Sequence, residues 1–93
     1  MPRKKYRSQA GIIYDILRTV YELGEAAPTR IMYGANLPFD RAKLLIETLV
    51  RNGLLERVTV KDRTYLRLTE KGYEALKELE KSKRILEELG FKF

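Results

Sequence analysis

The side chains with the most evident chemical capacity in this sequence are basic, and they fall in four groups along the chain. Guanidinium and ammonium groups bind phosphate oxygens, and tyrosine and threonine hydroxyls add further hydrogen bonds. The spacing of these groups therefore predicts a surface that recognises a polyanion carrying phosphates. The candidate residues are Arg3, Lys4, Lys5 and Arg7; Arg30 and Tyr33; Arg41, Lys43, Thr48 and Arg51; and Lys61 and Arg63.

The charge of the chain is distributed unevenly along its length. Its 93 residues carry 19 lysines and arginines against 13 acids, a net charge of +6. Residues 1–67 contain 13 basic and 7 acidic side chains, whereas residues 68–93 contain 6 of each. A localised positive surface attracts nucleic acid, and the counterions released on binding make the affinity sensitive to salt. The alternative is a solvated basic surface that serves only solubility.

The composition argues against several classes of function. The chain contains no cysteine and no histidine, so it lacks thiolate and imidazole ligands and the commonest general base. We therefore expect no enzyme, no metal and no cofactor. No apolar run approaches the roughly 20 residues that span a bilayer, so we expect no membrane association and a cytoplasmic protein. Abundant Glu, Lys and Arg with scarce Met is typical of thermophile proteins.

The hydrophobic pattern predicts three helices in the first half of the chain. Apolar residues at three- and four-residue spacing predict a helix over 9–23 that ends at Gly24. Pro28 and Thr29 predict the entry and the cap of a second, short helix. A third helix is predicted over 38–53. Its inward side comprises Ala42, Leu45, Ile46, Leu49 and Val50, and its outward side Asp40, Arg41, Leu44, Glu47, Thr48 and Arg51.

The second half of the chain predicts a β-hairpin. Alternating apolar residues place its strands over 54–61 and 64–68, and Asp62 and Arg63 form the turn. The apolar side chains expected on matching faces of the two strands are Val58, Val60, Leu66 and Leu68.

A last helix is predicted over 70–89, with Thr69 as its cap and Gly90 at its end. At about 1.5 Å per residue this helix is about 30 Å long, more than one small domain covers. We therefore expect a homodimer formed through its distal half, although its apolar faces also suit packing on the first helix. The candidate dimer residues, at coiled-coil-like spacing, are Leu76, Leu79, Lys83, Leu86 and Leu89.

Several segments of the sequence carry a resemblance to a known family. They are IIYDIL (12–17), PTRIMYGANL (28–37), LIETLVRNGLLE (45–56), DRTYLRLTEKG (62–72) and the helix that follows. With this order of elements, the chain resembles the archaeal winged-helix proteins, which include small, basic, chromatin-associated DNA binders dimerised through a C-terminal coiled coil. The resemblance implies an α+β, mostly helical winged helix-turn-helix of three helices and a two-stranded wing, with an additional C-terminal helix.

The resemblance also implies a division of the chain and a role for each part. We expect a flexible basic arm at 1–7, a winged helix-turn-helix domain at 8–69 and a dimerising helix at 70–93. In such folds the third helix enters the major groove of double-stranded DNA, so Arg41 is the candidate for reading a base. The alternatives are that the arm is a solubilising tail, that Tyr33 is a packing residue, and that the cations of the third helix are ordinary solvated charges.

The expected function is double-stranded DNA binding, as a transcriptional regulator or a chromatin-type architectural protein of an archaeon or an archaeal virus. The alternative is a winged helix that binds another protein, because the same fold serves both purposes. Asp40 and Glu47 on the outward side of the third helix favour the alternative. The basic arm and the localised charge favour DNA.

Overall fold

The structure is a computed structural model that describes residues 8–93. The basic arm expected at 1–7, with Arg3, Lys4, Lys5 and Arg7, lies outside the described residues. The elements predicted from the sequence are confirmed in type and order. They are α1 (Gln9–Leu23), α2 (Pro28–Gly34), α3 (Phe39–Arg51), β1 (Leu55–Val60), β2 (Arg63–Leu68) and α4 (Glu70–Glu88).

Side chains cap α1 and α4 at their amino ends, whereas α2 has no side-chain cap. The Ser8 hydroxyl accepts a hydrogen bond from the Gly11 N–H at the start of α1, at 2.9 Å. The residue before α2 is Ala27, which offers no side-chain cap, so the expectation that Thr29 caps this helix is wrong. Pro28 takes the first helical position and suits it because it has no N–H to leave unpaired, which places Thr29 already inside the first turn.

Three helices end in the same left-handed geometry. A residue with positive φ follows α2, α3 and α4: Asn36 (55°), Gly53 (81°) and Gly90 (89°). The next N–H then returns to a carbonyl five residues earlier, which satisfies the end of the helix and sets the direction of the exit. These bonds run from Leu37 to Met32 (3.0 Å), from Leu54 to Leu49 (2.9 Å) and from Phe91 to Leu86 (2.8 Å).

The hydrophobic core forms around the inner face of α1. Ile16, Leu17 and Val20 of this helix are completely buried. The other elements each contribute side chains to the same cluster, which buries apolar surface from every part of the fold. These are Ala26, Ile31, Ala35, Leu37, Ala42, Leu45, Ile46, Leu49, Leu55, Leu66 and Leu76.

The turn of the hairpin lies one residue earlier than predicted. β1 and β2 are antiparallel, with Val60 opposite Arg63, so the turn consists of Lys61 and Asp62 rather than Asp62 and Arg63. Both turn residues have positive φ, 49° and 68°, as a two-residue hairpin turn of this twist requires. Neither is glycine or asparagine, so the usual sequence signal for this turn is weak.

The register also corrects the predicted faces of the hairpin, and it does so independently of the shift of the turn. Every two-residue turn, including the predicted one, pairs even-numbered positions with odd-numbered ones, and here Val58 lies opposite Tyr65 and Leu66 opposite Arg57. Val58 and Val60 therefore point away from the face that carries Leu66, because neighbouring residues of a strand alternate between faces. The hairpin side chains that enter or pack against the core are Leu55, Leu66 and Leu68.

The hairpin joins α4 through a tight junction. The Thr69 hydroxyl accepts from the Gly72 N–H at 3.0 Å and donates to the Gly53 carbonyl at 2.5 Å. A Cβ at position 72 would lie 2.0 Å from the Leu54 carbonyl oxygen, so only glycine fits there. The junction thus ties the start of α4 to the segment that links α3 to the hairpin.

The proximal part of α4 packs on α1 and belongs to the same core as residues 8–69. Leu76 is buried, and Leu79 packs against the cluster. After α4 ends, the chain returns to the start of α1, where the Phe93 carbonyl accepts a hydrogen bond from the Ser8 hydroxyl at 2.9 Å. The Phe93 ring meets Tyr14 edge to face, with 5.9 Å between ring centroids. The alternative in which the last helix packs on the first is confirmed for this part of α4.

Replacing Thr69 tests the junction. We expect Thr69→Ala to lower the free energy of unfolding by about 1–2 kcal/mol, because it removes a helix cap and a second hydrogen bond together. Thr69→Ser keeps the hydroxyl and should stay closer to the wild type. Urea denaturation followed by circular dichroism measures both variants, and equal stabilities for Thr69→Ala and Thr69→Ser would contradict the assigned role.

Candidate nucleic-acid interface

The outward face of α3 is open to solvent over its whole length. The inner face of the helix is buried, which orients the opposite face away from the core. Thr48 is half-buried, and its hydroxyl donates to the Leu44 carbonyl at 2.9 Å, so its proton is already used within the helix. The exposed residues on α3 are Phe39, Asp40, Arg41, Lys43, Leu44, Glu47 and Arg51.

The short helix α2 presents Arg30 and Tyr33 beside α3. Tyr33 is 74% exposed, so the alternative in which it is a packing residue is wrong. The position of α2 is fixed by its close approach to α1, since a Cβ at Gly34 would lie 2.5 Å from the Thr19 side chain. Arg30 and Tyr33 line a shallow concavity between α1 and α2 together with Arg18.

The hairpin places cations at its tip and along one edge. Lys61 and Arg63 are exposed at the tip, as the sequence predicts. Arg57 is a further exposed cation that the sequence analysis did not select. Arg57 lies opposite Leu66, so it is on the side of the hairpin that faces the core, but its side chain is exposed to solvent. Arg57 could have been identified as a charged residue on the same strand face as the buried Leu55, but this requires the correct pairing of the two strands.

A groove of about 260 Å³ separates α3 from the hairpin. Its floor is mostly apolar, with Ala42, Ile46 and Leu66 among its lining residues. Lys43 comes from α3 and Arg57 from the hairpin, so two cations from different elements border the same groove. The tertiary structure thereby brings one cation of α3 and one of the hairpin to the same groove, which the carboxylate of Glu47 also borders.

Ion pairing divides the cations of residues 8–93 into two sets. On α1, on α4 and at the base of the hairpin, most cations lie within salt-bridge distance of carboxylates of this chain: Arg18 of Asp15 and Glu22, Arg67 of Glu56 and Glu25, Lys77 of Glu74, Lys81 of Glu78, Lys83 of Glu87 and Arg84 of Glu80. The exceptions are Lys71, which donates to the Asn52 carbonyl, and Lys92, which follows the end of α4. In the same described part of the chain, the cations of α2, α3 and the hairpin outside Arg67 have no carboxylate within salt-bridge distance. They are Arg30, Arg41, Lys43, Arg51, Arg57, Lys61 and Arg63.

Two of the paired cations are held strongly enough to change their protonation equilibrium. Arg67 donates to Glu56 through Nε at 2.7 Å, and this hydrogen bond raises the pKa of the guanidinium above its ordinary value. The contact with Glu87 at 3.0 Å likewise raises the pKa of the Lys83 ammonium, mainly through a side-chain hydrogen bond. Both groups remain charged at neutral pH, and both charges face carboxylates of this chain.

The candidate dimer residues on α4 separate into two groups. Leu76 is only 5% exposed and lies in the core of its own domain, so it cannot also face a partner, and its assignment to a dimer interface is wrong. Leu79, Lys83 and Leu86 are half-buried, and the Lys83 ammonium lies 5.8 Å from the centroid of the Tyr14 ring. Leu89 is 66% exposed. Ile85, Leu89 and Phe91 are the exposed apolar side chains at this end, and only Leu89 among them was predicted from the sequence.

Other kinds of site find no support in the described residues. Between residues 8 and 93, no three acidic or other metal-ligating side chains converge where they could hold an ion. None of the helices in this range has the length and apolar character needed to cross a membrane.

Residues 6–87 of the sequence match the model of a winged helix-turn-helix family. The chain belongs to this family. An uncharacterised protein of Methanocaldococcus jannaschii, MJ0287, is 39% identical to it over 80 residues, covering 83% of this chain and 77% of the relative.

Solved structures resemble this winged helix-turn-helix protein over most of its length. Sso10a-2, a DNA-binding protein from Sulfolobus solfataricus, matches with a TM-score of 0.80 and 32% identity, covering 89% of this chain and 85% of that one. A MarR family protein from Bacillus stearothermophilus matches with a TM-score of 0.71 and 24% identity, over 91% of this chain and 60% of that one, which is a likeness of fold. The resemblance to archaeal winged-helix proteins is thus confirmed.

The division between paired and unpaired cations has a consequence for stability. We expect the double variant Arg41→Ala and Lys43→Ala to keep its free energy of unfolding within about 0.5 kcal/mol of the wild type, because neither cation has a partner in the fold. Arg67→Ala should lose more, since it leaves Glu56 and Glu25 without the cation between them. Urea denaturation compares the variants, and a larger loss in the double variant would contradict the division.

Proposed function

We propose that this protein binds double-stranded DNA through α3, α2 and the hairpin. The observation that carries the proposal is the segregation of its cations: those on this one surface lack carboxylate partners, while most of those elsewhere in residues 8–93 are paired. An unpaired guanidinium or ammonium group is free to bind phosphate without first breaking an ion pair. Sso10a-2, which is named as a DNA-binding protein, has the same fold over 89% of this chain.

The elements suit the way helix-turn-helix proteins dock on a duplex. α3 is 13 residues long, about 20 Å, and its exposed face would lie in the major groove. Arg30 and Tyr33 on α2 would hold the adjoining phosphates and set the orientation of the protein. Lys61 and Arg63 at the hairpin tip would contact the phosphates that border the neighbouring minor groove. Arg41 is the candidate for bidentate recognition of guanine.

The arm at 1–7 is proposed to add phosphate contacts beyond the folded domain. Its residues Arg3, Lys4, Lys5 and Arg7 are the densest run of cations in the chain. Basic arms of this kind follow a groove and order on binding. We assign the protein to transcriptional regulation or to chromatin architecture at the nucleoid of the cytoplasm, with no catalytic role.

We also propose a homodimer that forms through the distal end of α4. Ile85 and Leu89 lie four residues apart on one exposed face, and the exposed ring of Phe91 follows them. Three exposed apolar side chains at one end of a helix favour burial against a second copy. A two-fold axis at this end would present two α3 helices to half-sites about 34 Å apart.

A salt titration tests DNA binding and its location. We expect the affinity for a random-sequence duplex, measured by fluorescence anisotropy from about 50 to about 200 mM salt, to fall steeply with salt. The double variant Arg41→Ala and Lys43→Ala should bind more weakly and should reduce the slope of log affinity against log salt by about 2, or about 1 for each cation removed.

A matched variant controls for net charge in that titration. Lys77→Ala with Lys81→Ala removes the same charge from α4, where Glu74 and Glu78 already pair the two lysines. It should keep the wild-type slope. Equal slopes for the two double variants would show that net charge alone drives binding, and a flat salt response of the wild type would favour a protein-binding winged helix instead.

The dimer is tested by the mass of the protein in solution. We expect light scattering at micromolar concentration and physiological salt to give the mass of two chains, and Ile85→Glu with Leu89→Glu to give that of one. Leu23→Glu, at an exposed leucine on α1, should leave the dimer intact. A monomeric wild type under these conditions would refute the proposal.

A further inference from the structure

The central side chain on the outward face of α3 is aliphatic. Leu44 is 61% exposed, whereas Leu45, Ile46 and Leu49 of the same helix are each less than a tenth exposed and belong to the core. Leu44 is neither in the core cluster nor among the partly buried side chains that pack against it. Leu44 therefore contributes no packing to the core of this domain.

The residues around Leu44 limit what this part of α3 offers to a ligand. Arg41 lies one turn before it and Thr48 one turn after it on the same face. The Thr48 hydroxyl has already donated its proton to the Leu44 carbonyl, so this side chain brings a methyl group and an acceptor but no free donor. Leu44 is therefore an apolar side chain among charged ones, with Arg41 positive and Asp40 and Glu47 negative within one turn of it.

We propose that Leu44 contacts the C5-methyl groups of thymine in the major groove and makes this protein prefer A·T-containing duplexes. The inference rests on the proposed DNA binding through α3. The unpaired cations of α2, α3 and the hairpin direct this face toward a duplex, and the apolar group that the base edges present in the major groove is the thymine methyl. A leucine in the middle of such a face matches that group and no other base edge.

The contact gives a preference without requiring a fixed operator sequence. Thymine methyls occur at every A·T pair, on either strand, so one leucine recognises composition more than order. Asp40 and Glu47 lie on the same outward side and would accept hydrogen bonds from base amino groups, but they would repel phosphates that came too near. The preference for A·T-containing DNA therefore comes from Leu44 alone, within a broad, salt-dependent affinity.

Removing the methyl group from the DNA tests the contact directly. The probes are short duplexes of alternating dA and dT, and the same duplexes with uracil in place of thymine. We expect the wild-type protein to bind the thymine duplex more tightly, by about fourfold for each methyl contacted, the factor that corresponds to burial of one methylene-sized group. Alternating dG and dC duplexes should gain affinity when cytosine is replaced by 5-methylcytosine, which puts a methyl at the equivalent place.

Variants of Leu44 separate this contact from effects of the methyl on DNA shape. Leu44→Ala should bind the thymine and uracil duplexes equally, at about the wild-type level for uracil, with an unchanged salt slope. Leu44→Met keeps a long apolar side chain and should keep the discrimination. Because Leu44 is exposed, both variants should fold, which thermal denaturation verifies.

The outcomes distinguish failure of this inference from failure of the proposed function. Equal affinity of the wild type for thymine and uracil duplexes, with a steep salt dependence, would overturn the inference and leave DNA binding in place. A Leu44→Ala variant that still discriminates between the two duplexes would overturn it as well. Absence of salt-dependent binding to either duplex would remove the proposed function, and the inference with it.

Discussion

Burial of the inner face of α1 is the constraint on which the rest of this structure depends. Ile16, Leu17 and Val20 have no exposed surface, and every other element packs against this helix or against a neighbour that does. A chain of 93 residues can form only one core of this kind, so nearly all of its aliphatic side chains are used there. α3 packs its apolar side against α2 and β1, which leaves its charged side outward. The proposed binding surface is thus a consequence of how the core closes.

Several aliphatic side chains remain outside the limited core. Leu44 on α3, and Ile85 and Leu89 on α4, have proposed partners, the duplex and a second copy of the chain, whereas Leu23 and Val60 are exposed as well and have none. The ion pairs distinguish the same two surfaces, because they neutralise most cations of α4 and leave those of α3 unpaired.

Much of the fold was predictable because its signals are local. The helix boundaries follow from caps and from left-handed exits, as at Ser8, Asn36 and Gly90, and these depend on a few adjacent residues. The hairpin was less predictable because its turn, Lys61 and Asp62, lacks the usual glycine. Val58 and Val60 were assigned to the wrong face because the strands were matched by their apolar residues, whereas any two-residue turn pairs even-numbered with odd-numbered positions and so puts Val58 on the face opposite to Leu66.

The sequence by itself determined the order of the elements, the family resemblance, and the excess of positive charge before residue 68, since these depend on residue types and short spacings. Only the tertiary structure decided which side chains are available. Leu76 has the same spacing as an interface residue but is buried against α1, while Arg57 borders a groove with Lys43 from a distant part of the chain. Pairing of cations with carboxylates is likewise a matter of distance in space, as Arg67 with Glu56 and Glu25 demonstrates. Whether a side chain can contact a partner depends on the residues that bury it or pair with it in the folded chain. These residues are distant in the sequence, so the spacing of residues does not reveal them.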